Sequence, residues 1–420
     1  MSDQNDRLDG DLRDYYGRLR QQQSPDVMGR VMLATEGRAA LWHRIGAAGT
    51  GVLAAAAVAA IVAVVLLTHV AKTPSPTGTA HTPPPAPSAS VTPSPSTTPT
   101  PTAQPLAGPP VHGFVPSDVT AISASQWWVL GENGAGCASA SCTRIVHTTD
   151  GGTTFTSVPV PPIAPAATPQ RDHLRFADAS DGWALDATGE VWATHDGGQT
   201  WARPAGLTAV TDVEASGGSV YAITCPPAGS CTIEMSPVSQ DAWHPLTGSN
   251  GAALRNLLVN GSHIWAVVGA ASGTSLLASA DGGATFHTTP VCPGALGISS
   301  IYAVDATTLW AACASGTEAG VYLSTNGGQS FTQVGGGVQN SATIAGVSAI
   351  TAVAGSGTQL VRSTDGGRSF RAVVTANPGW TVVGFTTSSN GFALDQQPSG
   401  GQALWRTNDA GATWHTVHFP

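Results

Sequence analysis

Short apolar stretches alternate with patterned strands along the C-terminal three-quarters of this 420-residue chain. Each unit contains a continuously apolar stretch, usually with an aromatic residue, as in Gly182 to Leu185. A second stretch follows in which apolar and polar residues alternate, as in Glu190 to Thr194, and this alternation is typical of a half-buried β-strand. Corresponding apolar stretches lie at 127–130, 220–223, 264–267, 309–312, 350–353 and 391–394. The pattern predicts an all-β domain.

Most of these alternating strands run into an eight-residue box whose clearest copy is Thr194 to Trp201. It consists of a hydroxyl residue, any residue, Asp, two glycines, any residue, a hydroxyl residue and an aromatic. The carboxylate can cap nearby backbone N–H groups, and glycine adopts the positive φ that a tight hairpin requires. The box therefore predicts a turn between two strands. Its carboxylate position is occupied by Asp150, Asp196, Asp281, Asn326, Asp365 and Asp409.

The box aromatics recur about every 39 to 46 residues, a period that indicates stacked or radially repeated units. A further copy, Ser236 to Trp243, keeps only its first hydroxyl and its aromatic, and Ala410 replaces the first glycine of the last box. With one strand before each apolar stretch and one beginning at each box aromatic, every unit has four strands. The sequence predicts a seven-bladed β-propeller over 112–420, with the eroded copy in its third blade.

The box resembles the Asp box, also called the bacterial neuraminidase repeat. Its alternation with Gly-Trp-Ala strands is similar to the propeller family that includes the photosystem II assembly and stability factor, and the resemblance covers about 112–420. It implies that the box aspartates form turns and face away from the active-site side. Propellers of this type also serve as sorting-receptor ectodomains and glycanases, so the resemblance implies the fold and leaves the function open.

The residues before the propeller predict a membrane anchor. Residues 46–70 carry no charge and are long enough to span a bilayer as one helix. A cleaved signal peptide is the alternative, but 1–45 is far longer than a normal leading region and no small-x-small cleavage site follows. Arginines cluster before the span, which places the N-terminus in the cytoplasm and the propeller outside the plasma membrane. The Pro-, Thr- and Ser-rich segment 71–111 predicts a disordered stalk.

The cytoplasmic segment 1–45 shows helical spacing of its few apolar residues and is too short to fold alone. A solvated or membrane-surface tail and a docking helix for a cytoplasmic partner both remain open. The propeller segment 112–420 carries nineteen acidic residues against nine arginines, which argues against nucleic acid as a partner because the basic groove is missing. We expect a monomeric propeller.

The six cysteines fit an oxidising exterior. Their positions on strands and loops place all six on one face of a propeller, the face opposite the boxes. Metal binding is the alternative, although neither close pair has the two-residue spacing of a zinc site. The predicted disulfides are Cys137–Cys142, Cys225–Cys231 and Cys292–Cys313. We expect no metal and no cofactor.

No catalytic motif emerges from the sequence, and we expect no enzyme activity. The alternative is an extracellular glycoside hydrolase, sialidase-like or other, because the repeat family includes such enzymes. The arginine–isoleucine–proline stretch typical of sialidases is absent, however. Other glycosidases require two facing carboxylates. The loop face offers Glu132, Asp186, Glu318 and Asp395.

We predict instead a binding or scaffold module whose ligand is a cell-surface protein or a glycan. The face that carries the cysteines also carries the longest and least regular loops, and long loops on a rigid scaffold are common recognition sites. Arginines there can pair with carboxylates, an indole can stack, and a glutamate can accept hydrogen bonds. The candidate binding residues are Glu132, Arg171, Arg175, Arg255 and Trp380.

Overall fold

The computed structural model describes residues 107–134, 142–163, 173–251, 253–269, 273–339, 343–375, 379–396 and 401–420. Within those ranges we find no helix that is both long and apolar enough to cross a bilayer. The predicted cytoplasmic segment, the predicted transmembrane helix and the predicted stalk up to residue 106 lie outside the described residues.

The described chain forms seven antiparallel sheets, each built from strands that are consecutive in sequence. The first three blades contain β1 (Phe114–Ala121), β2 (Trp127–Asn133), β3 (Thr143–Thr148) and β4 (Thr156–Val158); β5 (His173–Phe176), β6 (Gly182–Leu185) and β7 (Val191–Thr194); and β8 (Val210–Ser216), β9 (Ser219–Thr224), β10 (Thr232–Pro237) and β11 (His244–Pro245).

The remaining four blades each have four strands. They are β12 (Leu254–Asn260), β13 (His263–Val268), β14 (Ser275–Ser279) and β15 (His287–Pro290); β16 (Gly297–Ala303), β17 (Leu309–Ser315), β18 (Glu318–Ser324) and β19 (Thr332–Gln339); β20 (Thr343–Gly346), β21 (Ala352–Ser356), β22 (Gln359–Ser363) and β23 (Arg371–Thr375); and β24 (Gly379–Phe385), β25 (Gly391–Gln396), β26 (Gln402–Thr407) and β27 (His415–Thr416). The seven-bladed propeller is confirmed.

Blade 2 differs from the predicted four strands. Its outermost position is reduced to one bridge between Ala193 and Ala202. Continuing that antiparallel pairing would bring Pro204 opposite Val191. Because proline has no backbone N–H to donate, it cannot extend the ladder there, and the fourth strand ends after one residue pair.

Each intact box makes the same hydrogen bonds, which explains why the motif recurs. In the fourth blade the Ser279 hydroxyl donates to Asp281 Oδ1 at 2.8 Å and accepts from the Gly283 N–H at 2.9 Å. The same carboxylate accepts from the backbone and the hydroxyl of Thr285 at 2.9 and 2.6 Å. These bonds to the ionised form, those of Thr285 first, lower the pKa of Asp281 to about 2. The predicted structural role of the box carboxylates is thereby explained.

The eroded box of blade 3 still forms a turn between β10 and β11. The Ser236 hydroxyl accepts from the Ala242 N–H at 3.0 Å and donates to the Gln240 carbonyl at 2.5 Å. Trp243 packs, partly buried, against the core between blades 2 and 3. The blade is therefore kept, as predicted, because the Ser236 hydroxyl still holds the turn and Trp243 still packs between the blades.

The core lies between neighbouring blades, where the aromatics of the apolar strands are packed. Trp127, Trp128, Trp183, Trp265 and Trp310 are all fully or almost fully buried. Two of these indoles also reach the next blade, since the Nε1–H of Trp265 donates to the Gly327 carbonyl and that of Trp310 to the Ser348 carbonyl, each at 2.9 Å. Large buried aromatics supply much of the packing free energy of such an interface.

The ring closes by packing rather than by exchange of a strand. The last blade consists of β24 to β27 and, among the described residues, receives no strand from the N-terminal side. Phe419 lies 4.8 Å from Phe114 and 4.9 Å from Phe155 between ring centroids. Arg406 of blade 7 donates to the carbonyl of Gly151 in the first box. The C-terminal residues thus bind directly to blade 1.

Candidate functional site

The first strand of each blade lines a central channel. On β5, Leu174 and Phe176 are buried between blades, whereas His173 and Arg175 are only partly buried. On β8, Asp212 and Glu214 alternate in the same way with buried Val213. Successive side chains of a strand point to opposite sides. Because the apolar residues of these strands are buried between blades, the charged residues that alternate with them face the channel.

Side chains next to β-bulges join neighbouring inner strands. The register shifts between Pro116 and Asp118 in β1, and between Val210 and Asp212 in β8. Directly after each bulge the aspartate accepts a backbone N–H from the next inner strand: Asp118 Oδ2 from Leu174, and Asp212 Oδ2 from Leu257, both at 2.8 Å. A bulge re-aims a side chain, and here it turns a carboxylate along the channel wall.

Five ionisable side chains form a cluster on the inner strands of blades 1, 2 and 3. The Nε and Nη2 atoms of Arg175 both lie 2.8 Å from Glu214 Oε1. His173 Nδ1 lies 3.5 Å from Asp118 Oδ2. The fifth member is Asp212. We call Asp118, His173, Arg175, Asp212 and Glu214 the channel cluster.

The cluster members shift one another's pKa values. Burial alone would lower the pKa of His173, but the Asp118 carboxylate, with help from Asp212, raises it to about 9. Burial acts to raise the pKa of Asp118, yet the bond and charge of His173 hold it below its ordinary value. Burial raises the pKa of Glu214 although Arg175 opposes this. His173 is therefore protonated at neutral pH.

Two cavities follow one another along the channel. The cysteine-face cavity has a volume of about 680 Å³ and is lined by residues near the starts of the inner strands, among them Asp212 and Trp380. The box-face cavity has a volume of about 500 Å³ and is lined by later residues of those strands, among them Asp118 and Tyr302. Both volumes lie in the range of about 300 to 1,000 Å³ that is typical of ligand sites.

The two cavities meet at a waist. His173, Arg175 and Glu214 of blades 2 and 3 line both of them, as do Leu258 of blade 4 and Val382 of blade 7. The Arg175 and Glu214 side chains keep 24% and 22% of their surface exposed, so the ion pair remains accessible from within the channel. The waist is thus lined by charged residues of blades 2 and 3 and by apolar residues of blades 4 and 7.

His173 also borders a third cavity of about 440 Å³ on the cysteine face, between blades 2 and 3. This cavity is lined by Asp186, Val210 and Cys225, among others. Cys225 is bonded to Cys231, so a stapled loop forms part of its wall. His173 therefore lies between the channel and this third cavity.

The structure brings two of the predicted binding residues together. Arg175 and Trp380 line the cysteine-face cavity. Trp380 is only 7% exposed, because its indole packs at 5.8 Å between ring centroids against Trp405. Little of its ring is free for stacking.

Arg255 and Glu132 do not join them in lining this cavity. Arg255 donates to the Asn256 side chain at 2.6 Å and to the Ile298 carbonyl at 3.0 Å, so it links blades 4 and 5. Glu132 lies near the end of β2, half-buried, and burial raises its pKa. Arg171 lies outside the described residues.

Two of the carboxylates considered for glycosidase chemistry hold loops. Asp186 Oδ1 accepts from the backbone N–H groups of Thr188 and Glu190 at 2.8 and 3.0 Å. Asp395 is fully buried and accepts from the Ala403 N–H at 2.9 Å and from the Trp405 indole at 3.1 Å. Both residues therefore stabilise turns on the cysteine face.

Two of the three predicted disulfides are present in the described chain, Cys225–Cys231 and Cys292–Cys313. Cys142 is also disulfide-bonded, and Cys137 lies outside the described residues. Among the described residues there is no free cysteine and no group of three or more His, Cys, Asp or Glu side chains arranged for a metal ion.

Most of the channel cluster was not among the binding residues predicted from the sequence. Of its five members only Arg175 was a candidate. The signal was available, because β5 and β8 each carry two charged residues at alternating positions in a strand that begins a blade. Charge at such positions faces the axis of a propeller rather than a blade interface.

No model of a known protein family matches this chain, and no curated protein matches it. Solved structures of similar fold include YCF48 bound to D1 peptide, 20% identical over 72% of this chain and 93% of that one, with a TM-score of 0.51. YCF48 from Cyanidioschyzon merolae is 18% identical over 72% of this chain and 97% of that one, also with a TM-score of 0.51.

A puromycin-hydrolyzing peptidase of Mycobacterium tuberculosis matches with a TM-score of 0.54, but at 12% identity and over only 55% of its own length. The chain is thus a seven-bladed Asp-box β-propeller. It is structurally similar to the photosystem II assembly factor YCF48, which confirms the resemblance predicted from the boxes.

Proposed function

We propose that this protein is a binding module that holds a segment of a protein partner at the cysteine-face cavity. The observation that carries the proposal is the channel cluster, because four of its five members line a cavity of about 680 Å³ and the Arg175–Glu214 pair stays partly exposed inside it. Ionic groups are costly to desolvate, so a channel wall built from them favours a polar ligand over an apolar one.

The choice of a protein ligand rests on the polar lining and on the fold. Asn256, Gln339 and Gln396 line the same cavity, and amide side chains can both donate to and accept from a peptide backbone. YCF48, which has a similar propeller, has been determined in complex with a D1 peptide. A glycan is the alternative ligand, and the experiment below separates the two.

The proposal includes the predicted location. The uncharged segment 46–70 would anchor the chain, the stalk 71–111 would carry the propeller away from the bilayer, and the propeller would lie outside the cell. Disulfides in the propeller support an oxidising compartment. Protease added to intact cells should release the propeller; a propeller that remains attached and intact would contradict this location.

A photocrosslinking amino acid placed in the full-length chain tests the site. Gln339 and Gln396 are exposed and line the cavity, whereas Gln329 is exposed in the fifth box and serves as the matched control. We expect a crosslinked protein band, in cells that produce the chain, from positions 339 and 396 only. Crosslinks from 329 alone, or adducts that only glycosidases remove, would contradict the proposal.

A further inference from the structure

The channel cluster carries one more negative than positive charge. It contains three carboxylates, those of Asp118, Asp212 and Glu214, against the guanidinium of Arg175 and the imidazolium of His173. No other Lys, Arg or His lines either channel cavity among the described residues. The whole propeller segment is acidic as well, with nineteen acidic residues against nine arginines over 112–420. The charge of the cluster and the charge of the whole propeller segment are therefore both negative.

Both cations of the cluster are already engaged by protein acceptors. Arg175 directs Nε and Nη2 to Glu214 Oε1 and donates from Nη1 to the Leu174 carbonyl at 3.2 Å. The His173 Nδ1 atom lies 3.5 Å from Asp118 Oδ2, on the inner strand of blade 1, an ion-pair contact without a hydrogen bond. An anionic group entering from the cysteine face would have to compete with these carboxylates for its partners.

Two carboxylates of the cluster, by contrast, can still accept hydrogen bonds from a ligand. Asp212 receives only backbone N–H groups, from Val213 at 2.9 Å and from Leu257 at 2.8 Å, and no cation contacts it among the described residues. Glu214 uses one oxygen for Arg175, and its Oε2 has no hydrogen-bond partner in the described part of the chain. Both side chains line the cysteine-face cavity.

We propose that this cavity receives a single basic side chain, lysine or arginine, of the bound protein segment, which pairs with Asp212 and with Glu214 Oε2. The inference rests on the proposed function and names the chemistry of the ligand. One added positive charge neutralises the cluster, whereas an acidic side chain would add a fourth carboxylate to it. An uncharged side chain would leave the excess carboxylate desolvated without a partner.

A selection from a random peptide library with the immobilised full-length protein tests this specificity. We expect the enriched peptides to share one lysine or arginine, and its replacement by alanine to weaken binding at least about tenfold, as for truncated partners of buried charge pairs. Affinity should also fall as salt is raised. Enrichment of acidic or uncharged peptides would overturn the inference while leaving a protein-binding propeller intact.

Variants of the full-length chain connect the selected peptides to the cavity. Glu214→Gln and Asp212→Asn should each weaken the binding of a basic peptide about tenfold or more. The matched control is Glu190→Gln, because Glu190 also pairs with an arginine, Arg203, but on the exposed outer part of blade 2. It should leave the affinity unchanged.

Two variants at the cavity keep the test decisive if one of them does not fold. Equal affinity of the basic peptide for the wild type and for every folded cavity variant would overturn the inference. So would a selection that enriches no peptide. The photocrosslinks at 339 and 396 would then decide separately whether a protein ligand binds there at all.

Discussion

Arg175 of blade 2 and Glu214 of blade 3 form an ion pair across two adjacent inner strands, with Nε and Nη2 each 2.8 Å from one carboxylate oxygen. The pair closes the interface between the two blades on the channel side. Both side chains also line the cysteine-face cavity. The ion pair therefore stabilises the ring and also contributes to the charge of the site.

Glu214→Gln should destabilise the protein by about 2 kcal/mol, because Arg175 is left in the channel without its counter-charge, somewhat less than for a fully buried pair. Glu190→Gln, which removes the exposed partner of Arg203, should cost less than about 1 kcal/mol. Urea unfolding followed by tryptophan fluorescence measures both. Equal losses would mean that the channel pair is screened like a surface pair.

The strands and boxes were predictable because their signals are local. Alternation, an Asp followed by two glycines, and a closing aromatic each determine a strand or a turn within about eight residues. The single bridge of blade 2 was not predicted, since it depends on Pro204 standing opposite Val191 across a hairpin. The box of blade 3 was correctly kept on spacing alone.

The site was less predictable because it is assembled from different blades. Asp118 and Leu174 are joined only once a β-bulge turns the aspartate toward the next inner strand. Trp380 was chosen as a stacking surface, but its pairing with Trp405 inside blade 7 could not be read from a linear pattern. Residue type suggested the chemistry, and strand order decided which residues meet.

His173 makes stability depend on pH in the alkaline range. Its pKa is raised to about 9 by Asp118 and Asp212, against burial and Arg175, which lower it. Since the folded state holds the proton more tightly, the stabilisation is complete below about pH 6.5 and is lost as pH rises through about 9.

A shift of this size corresponds to about 3 kcal/mol for a fully buried group, but 36% of the His173 side chain is exposed. Solvent screening reduces the expected loss to about 1 to 2 kcal/mol between pH 6.5 and 9. Urea unfolding across this range measures it. The variant His173→Gln should lose this dependence, and an unchanged pH profile in that variant would rule out His173 as its source.

The box carboxylates predict a second, acidic transition. The pKa of Asp281 is lowered to about 2 by its bonds to Thr285 and Ser279. A lowered pKa in the folded state means stabilisation that is present above about pH 4 and lost as pH falls toward 2. Asn326 makes the equivalent bonds without titrating, since its Oδ1 accepts from Ser324 and its Nδ2 donates to Ser330.

The variant Asp281→Asn should therefore fold at neutral pH with a box like that of blade 5. Its acid-unfolding midpoint, followed by circular dichroism, should lie at lower pH than that of Asp281→Ala, in which the whole turn is lost. Equal midpoints for the two variants, neither of which carries the charge, would show that charge, rather than hydrogen-bond geometry, maintains the box.

The Cys292–Cys313 disulfide should contribute more stability than Cys225–Cys231. The first spans 21 residues and the second only 6, and a longer closed loop restricts the unfolded chain more. The double alanine variant should lose about 3 kcal/mol at the first pair and about 2 at the second. Cys292 and Cys313 are also fully buried, which adds a packing loss. Guanidinium unfolding without reductant measures both, and the opposite ranking would contradict the loop argument.

Ala410 occupies a backbone conformation that alanine adopts at a cost. Its φ is 61°, where the other intact boxes carry glycine, for example Gly282 with φ 71°. An L-residue with a Cβ loses about 1 to 2 kcal/mol in this left-handed region, and glycine does not. Ala410→Gly should therefore stabilise the protein by about 1 kcal/mol, less the greater freedom that glycine gives the unfolded chain.

The matched control is Gly282→Ala, because a Cβ built at Gly282 meets no atom within 4 Å and the substitution adds only backbone strain. We expect the thermal midpoint to rise for Ala410→Gly and to fall for Gly282→Ala. If both variants lowered the thermal midpoint, the methyl group of Ala410 would stabilise the seventh box rather than strain it. The Ala410 carbonyl also accepts from Arg362 Nε at 2.9 Å, so this turn joins blade 7 to blade 6.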